Sequence, residues 1–307
     1  MTRALWAHLA LFFVNVLYGA NHVLAKGVMP TYLTPNVFIF LRVAGATSLF
    51  WLVKSFLPSE KIRGKDLGLT ALCGVFGVAI NQLFFFHGLN LSSSINAAII
   101  MTANPILVAV IAFIWLKDPL TISKVGGLIL GTCGAVLLTL SSSTVSPEAS
   151  LGDILLFINA LSYAIYLLLA KPLMKRYSPL TVITYVFTFG SLFVILYPST
   201  IPELWETKFS TFPAEVWTKI IYVVVGVTFF TYLLTNVGLR TLSATASSAY
   251  IYTQPVLVIA FAFLFAALGI SDDYTNTITW DKVGYMLLVF VGVWLVNKAK
   301  KTVQLKD

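Results

Sequence analysis

The sequence predicts an all-α integral membrane protein, and its composition, its apolar blocks and the placement of its charges all indicate that class. Of the 307 residues, 58% are hydrophobic and 10% are charged, whereas soluble domains carry roughly 25% charged residues. The apolar residues fall in blocks of about 18 to 23, long enough for a helix rising 1.5 Å per residue to cross a hydrocarbon layer. The surface of the protein is therefore expected to meet lipid.

Ten such blocks predict ten transmembrane helices. In chain order they run approximately from Leu5 to Ala25, Pro35 to Leu57, Leu67 to Leu89, Ile95 to Leu116, Lys124 to Ser141, Leu151 to Lys171, Pro179 to Tyr197, Trp217 to Leu239, Thr245 to Leu268 and Asp281 to Lys298. The first block follows Arg3, but it contains polar residues and has no small-residue cleavage site. It is expected to be a span and not a secretory signal.

The basic residues predict the orientation of these spans. With the amino terminus in the cytoplasm, fifteen of the twenty Lys and Arg residues fall in cytoplasmic segments and four in outer segments, while Arg42 lies within a span. This bias follows the positive-inside rule and predicts that both termini are cytoplasmic. The excess of basic residues in cytoplasmic segments also explains the net charge of +8 without a nucleic-acid partner. The expected location of the protein is the cell membrane.

Polar side chains in the first three spans are candidate binding residues, because polar groups inside a membrane are costly. In the first span Asn15, Tyr18 and His22 follow helical steps and share one face. In the second, Arg42 could attract a carboxylate or phosphate, although snorkelling to the interface would explain it equally well. In the third, Asn81 lies near a run of phenylalanines that could form a cavity wall.

The fourth and ninth spans each contain a polar residue followed by proline near mid-membrane depth. These pairs are Asn104 with Pro105 and Gln254 with Pro255. Each proline removes a backbone donor and is expected to free a carbonyl four residues earlier, which a transport path could use. The alternative is that the prolines kink the helices for packing.

The remaining candidates lie in the sixth and ninth spans. Asn159, Tyr163 and Tyr166 form a polar stripe in the sixth, and Tyr250 continues the face of the ninth. Interhelical hydrogen bonds without any ligand would also explain such stripes. The fifth and tenth spans are expected to be scaffold, because close helix packing suits the glycines of the fifth, which are Gly126, Gly127, Gly131 and Gly134.

An internal repeat divides the chain into residues 1–143 and 144–307. The recurring residues include Gly88 and Pro105, which return 150 residues later as Gly238 and Pro255, and Tyr18, which returns as Tyr163. Five spans per repeat make the second half enter the membrane from the opposite side, as in many secondary transporters. The sequence therefore predicts two inverted five-helix repeats.

Several of these residues together resemble a known family. They are the Asn104-Pro105 and Gln254-Pro255 pairs, Tyr18-Gly19, Tyr163-Ala164, Arg42, and the segment Leu116-Lys117-Asp118-Pro119. The chain resembles the ten-helix, EamA-type branch of the drug/metabolite transporter superfamily over nearly its whole length. It departs from that pattern in lacking a second-half arginine equivalent to Arg42. The resemblance implies a carrier of amino acids, other metabolites or drugs.

We therefore expect a secondary transporter, an alternating-access exporter or exchanger of small, amino-acid-like metabolites. A sugar-phosphate or nucleotide-sugar antiporter would need several basic residues at mid-depth, and a structural membrane subunit remains an alternative. An enzyme is not expected, since His8, His22 and His87 have no metal-ligand spacing and no acid beside them. The expected partners are lipid and a small substrate, with no cofactor or metal; a monomer is compatible with the sequence, which leaves the oligomeric state open.

Energy coupling can also be addressed from the sequence. All twelve acidic residues lie in predicted loops or at span ends, whereas proton-driven carriers commonly use buried acids or histidines. We expect exchange or facilitated diffusion without obligatory proton coupling. If a histidine did couple transport to protons, His22 on the polar stripe would be the better candidate.

Overall fold

The computed structural model describes residues 3–25, 28–29, 31–57, 60–91, 100–140, 150–268 and 280–303. All regular secondary structure in these ranges is helical. The helices before residue 144 are α1 (Arg3–Ala25), α2 (Pro35–Ser55), α3 (Gly64–Leu91), α4 (Asn104–Leu116) and α5 (Ile122–Leu140). Those after it are α6 (Ser150–Arg176), α7 (Pro179–Ile195), α8 (Thr200–Glu206), α9 (Ala214–Thr241), α10 (Ala244–Ser248), α11 (Gln254–Ala267) and α12 (Trp280–Val303).

Two helices begin in the same way, for a reason that is visible in the sequence. The hydroxyls of Thr34 and Ser178 accept hydrogen bonds from the backbone N–H groups of Val37 and Thr181. Each cap is followed by a proline at the first helical position, where its missing N–H costs nothing. The starts of α2 and α7 therefore follow from Thr-Pro and Ser-Pro pairs.

The structure supports an integral membrane protein built of helices. Five helical segments are long and apolar enough to cross a membrane: Arg3–Asn21, Pro35–Ser55, Gly64–Leu91, Leu151–Arg176 and Ala214–Thr241. A sixth is added if α7 and α8, which bend by 77° at their junction, form one span. Other apolar helices are shorter, so the predicted count of ten spans stays a prediction.

Some predicted spans are interrupted. The fourth has a turn at Thr102 and Ala103 immediately before α4, and residues 92–99 lie outside the described chain. The ninth is divided into α10, a 3-10 segment at Ala249–Thr253, and α11. Both interruptions precede the polar-proline pairs, where a proline removes a helical donor.

Apolar side chains cover much of the surface, and several polar side chains are buried within a core that is otherwise mostly apolar. Phe113, Ile114, Trp115 and Leu116 at the end of α4 are each more than half exposed, whereas polar residues such as Asn236 are fully buried. An apolar exterior with buried polar side chains suits a lipid environment.

Helix packing brings distant segments together around the interior. The amino-terminal helix α1 packs against α9 and α11, while α6 packs against α3 and α4. Two of these helices contain π-helical segments, Val75–Ile80 in α3 and Tyr222–Phe230 in α9. Such segments offer carbonyls to neighbouring side chains and are frequent at functional sites.

Helices α5 and α12 pack closely through glycine. A Cβ placed at Gly127 would lie 2.7 Å from the carbonyl oxygen of Gly292, so the two backbones are in direct contact. The expectation of close packing at Gly126 was wrong, because no described atom lies within 4 Å of a Cβ placed there. One residue of helical rotation, about 100°, turns it away from α12.

Candidate functional site

A cavity of about 120 Å³, lined by both polar and apolar side chains, lies between the helices and forms the candidate site. Side chains from both halves of the chain surround it. The polar lining residues are Asn15, Tyr18, Asn21, Arg42, Asn81, Gln82, Asn104, Asn159, Tyr163, Tyr232, Thr235, Ser247, Ser248 and Gln254. The apolar ones are Leu11, Val14, Phe85, Phe86, Met101, Leu167 and Ile251.

Most residues singled out in the sequence lie at this cavity. Those that line it are Asn15, Tyr18, Arg42, Asn81, Asn104, Asn159, Tyr163 and Gln254. Helices α1, α3, α4, α6 and α11 each contribute at least one of them, and α2 contributes Arg42. The packing of α1 and α6 against helices from the other half of the chain brings these residues together.

Three candidates are placed differently. The side chain of His22 lies outside the described part of the chain. The hydroxyl of Tyr166 donates to the Asn236 side chain at 3.0 Å, away from the cavity lining. The hydroxyl of Tyr250 lies 2.6 Å from Nδ1 of His8 and joins the 3-10 segment to the start of α1.

Sequence reasoning missed several lining residues, of which Gln82 and Tyr232 are the most connected. The Gln82 amide donates to the Tyr232 hydroxyl at 2.9 Å, and that hydroxyl donates to the carbonyl oxygen of Gly77 at 2.9 Å. Gly77 lies in the π-helical segment of α3. The 150-residue offset that relates Gly88 to Gly238 also relates Gln82 to Tyr232, but because the two residue types differ, the repeat did not single them out.

The two polar-proline pairs make equivalent contacts with the first helix of the opposite half. Asn104 donates through Nδ2 to the carbonyl oxygen of Ala160 in α6 at 2.8 Å. Gln254 donates through Nε2 to Oδ1 of Asn15 in α1 at 2.9 Å. Each pair thus links the break in one half to a helix of the other.

The carbonyls expected to be freed by the prolines belong to Met101 and Ile251, and both residues line the cavity. For Ile251 the expectation of a free carbonyl was wrong, because the backbone N–H of Gln254 donates to it. The 3-10 segment shortens the hydrogen-bond spacing and satisfies the carbonyl within the chain.

Arg42 is held in the interior and does not snorkel. Its side chain is 4% exposed, and its Cζ lies 4.6 Å from the ring centroid of Phe86 and 5.6 Å from that of Phe38. Its Nε donates to the hydroxyl of Thr228 at 3.1 Å. Among the described residues it forms no ion pair, and none of the described acids lines the cavity.

Three buried polar atoms of the lining have no hydrogen-bond partner among the described residues. They are Oδ1 of Asn21, Oδ1 of Asn104 and Oγ of Ser247. A buried polar atom that has no partner is unfavourable. All three atoms belong to residues that line the cavity, and each would gain a hydrogen bond if its side chain turned toward a polar ligand there.

A separate hydrogen-bond network contains the acid Glu203 of α8, which the sequence placed outside the spans. Glu203 accepts hydrogen bonds from Thr34 and Asn36, and the Asn36 amide oxygen is 2.8 Å from Nε2 of His87. This network joins α2, α3 and α8. Within the described ranges no group of three or more His, Cys, Asp or Glu side chains could hold a metal ion.

Comparison with known proteins gives a family match in two segments. Residues 5–140 and 150–298 each match the description "EamA-like transporter family". A solved crystal structure superposes with a TM-score of 0.74 over 97% of this chain and 98% of that chain, at 16% sequence identity. At that identity the likeness concerns the fold alone.

Curated relatives carry transporter names. A protein of Bacillus subtilis (strain 168) named "Uncharacterized transporter YyaM" is 27% identical over 83% of this chain and 85% of its own length. An "Uncharacterized transporter" of Archaeoglobus fulgidus is 26% identical over 88% of this chain and 91% of its own. A "Probable terminal-alkyne amino-acid exporter" of Streptantibioticus cattleyicolor is 24% identical over 68% of this chain and 69% of its own.

Proposed function

The chain belongs to the EamA-like transporter family, and we propose that it is a secondary transporter that carries small, amino-acid-like metabolites by alternating access. The family and the transporter-named relatives make it a membrane transporter and not an enzyme. The observation that carries the finer proposal is the cavity, which polar side chains of both halves help to line. A site between two halves can be reached from either side if the halves rearrange.

We further propose ten membrane helices in two inverted repeats, with both termini cytoplasmic in the cell membrane. Reciprocal contacts support this arrangement. Gly88 packs against Leu156, and Gly238 packs against Leu11. Gly238 follows Gly88 by 150 residues, and Leu156 follows Leu11 by 145, the offset that also relates Tyr163 to Tyr18. Exchanging the halves therefore exchanges one contact for the other, as a two-fold axis requires.

A second reciprocal pair lies at the α5–α12 interface. Gly127 packs against Gly292, and Gly134 packs against Tyr285. An offset of 158 residues relates Gly134 to Gly292 and Gly127 to Tyr285. The same two-fold relation accounts for both contacts, and the separate family matches at 5–140 and 150–298 agree with it.

The choice of amino-acid-like solutes rests on the chemistry of the lining. Amides and hydroxyls can both donate and accept, and Arg42 can pair with a carboxylate. The relative named as an amino-acid exporter favours the same class. A sugar-phosphate or nucleotide-sugar antiporter is less well supported, because Arg42 is the single cationic residue of the described lining.

The direct test is uptake by liposomes that contain the purified full-length protein. Uptake of labelled amino acids, purines and sugars by these liposomes is compared with uptake by protein-free liposomes. Saturable uptake of at least one amino acid is the expected result. Uptake of sugars or purines alone would contradict the substrate class, and no flux of any solute would favour a non-transporting structural subunit.

A further inference from the structure

We propose that the cavity recognises its ligand through a carboxylate bound by Arg42, that Thr228 positions Arg42 for this contact, and that the ligand needs no ammonium group. This inference rests on the proposed function in taking the cavity as the transport site. It defines the substrate class by the carboxylate, so that small 2-hydroxy acids are included as well as amino acids.

The first argument is the unmatched charge of Arg42. A guanidinium has five N–H donors, and one of them binds Thr228. No described residue accepts a hydrogen bond from the other four, although the residue is only 4% exposed. A buried charge is unfavourable unless it is paired. A carboxylate fits the two terminal nitrogens in the bidentate geometry that arginine favours.

The second argument concerns the net charge of the occupied cavity. No acid lines the described cavity wall, so a monocarboxylate makes the occupied site neutral, while a zwitterion leaves a charge of +1. An ammonium would also have to leave water beside a guanidinium. The oxygens of Asn21 and Asn104 that have no partner can accept a hydrogen bond from a ligand hydroxyl as well as from an ammonium.

The third argument is the position of Thr228 in the π-helical segment of α9. Its hydroxyl donates to the carbonyl oxygen of Val223, five residues earlier, at 2.8 Å. That bond orients the oxygen so that it accepts from Nε of Arg42. Phe86 restricts the guanidinium from one side. Thr228 is thus a positioning residue that acts on the ligand through Arg42.

The cavity size selects the probes. An engineered cavity of about 150 Å³ holds benzene, which has six non-hydrogen atoms, and the present cavity measures about 120 Å³. Lactate, alanine and lactamide each have about that number of non-hydrogen atoms and nearly the same shape. They differ in charge, because lactate is an anion, alanine a zwitterion and lactamide neutral.

The experiment measures equilibrium binding of labelled L-lactate to the detergent-solubilised full-length protein, with competition by L-alanine and L-lactamide. Lactate is expected to bind about tenfold or more tightly than lactamide, and at least as tightly as alanine, because ionised hydrogen bonds are the stronger ones. Equal affinity for lactate and lactamide, or no binding of any probe, would overturn the carboxylate assignment. Alanine binding tenfold tighter than lactate would overturn the statement about the ammonium.

Variants assign the effect to residues. Arg42→Gln is expected to bring the lactate-to-lactamide affinity ratio to about one, whereas Arg42→Lys keeps part of it. Thr228→Val is expected to lower the ratio and Thr228→Ser to restore it, with thermal unfolding showing that each variant is folded. An unchanged ratio in Arg42→Gln, or equal ratios in the two Thr228 variants, would refute the respective role.

The two proposals can fail separately. Flux without a preference for carboxylates would remove this inference and leave the transporter proposal standing. Tighter binding of lactate than of lactamide without flux of any solute would remove the transporter proposal and leave the binding of a carboxylate by Arg42 standing.

Discussion

Alanine at Gly127 and alanine at the adjacent Gly126 are expected to have opposite effects on stability. A Cβ at Gly127 would lie 2.7 Å from the carbonyl oxygen of Gly292 and 2.8 Å from the backbone nitrogen of Val296. Ordinary van der Waals contact begins near 3.4 Å, so α12 would have to move by about 0.7 Å. Overpacking of this kind typically costs about 1–3 kcal/mol.

The neighbouring position serves as a matched control. A Cβ at Gly126 meets no described atom within 4 Å, so Gly126→Ala adds no clash. Replacing glycine by alanine inside a helix favours the helix by about 0.8–1 kcal/mol. Gly126→Ala is therefore expected to be neutral or slightly stabilising, whereas in Gly127→Ala the clash outweighs this gain.

The assay is unfolding of the purified protein in mixed micelles by increasing mole fractions of SDS, followed by tryptophan fluorescence. The unfolding midpoint of Gly127→Ala should fall below that of the wild type, and that of Gly126→Ala should not. Equal midpoints for the two variants would refute the packing of α5 on α12 as described.

Three further outcomes are expected. Asn104→Ala and Gln254→Ala should impair uptake by liposomes far more than Gly126→Ala does, with all three variants folded. Equal effects on uptake would mean that the polar-proline pairs serve packing. In a background without the two native cysteines, Glu206→Cys should react with an impermeant maleimide from outside and Lys175→Cys from the cytoplasmic side; labelling from the same side would contradict the predicted topology of the second half, in which the region of α7 crosses the membrane. Counterflow in liposomes should not depend on an imposed pH gradient, and strict dependence abolished by His22→Gln would refute uncoupled transport.

Much of the architecture follows from the sequence. Composition and block length determine that the chain is a helical membrane protein, because an apolar surface is stable only in lipid. The Thr-Pro and Ser-Pro pairs determine where α2 and α7 begin. The interruptions before Asn104 and Gln254 agree with the prolines beside them, each of which removes a backbone donor.

The candidate site was predicted where helical periodicity could identify it. Asn15 and Tyr18 share a face of α1, and Asn159 and Tyr163 share a face of α6; all four line the cavity. Periodicity failed for Tyr166, whose ring packs against Gly77 and whose hydroxyl donates to Asn236. The position of a residue around α6 does not tell how closely α3 and α9 approach it, and these two helices occupy the space around Tyr166.

Only the tertiary structure decided which groups meet across the interior. Gln82 and Tyr232 are separated by 150 residues, and Arg42 and Thr228 by 186. No local sequence pattern predicted the π-helical segments that contain Gly77, which binds Tyr232, and Thr228, which binds Arg42. The sequence determines which face of each helix is polar, because periodicity describes a single helix. The packing of the helices determines which polar faces meet, because hydrogen bonds depend on the distances between helices.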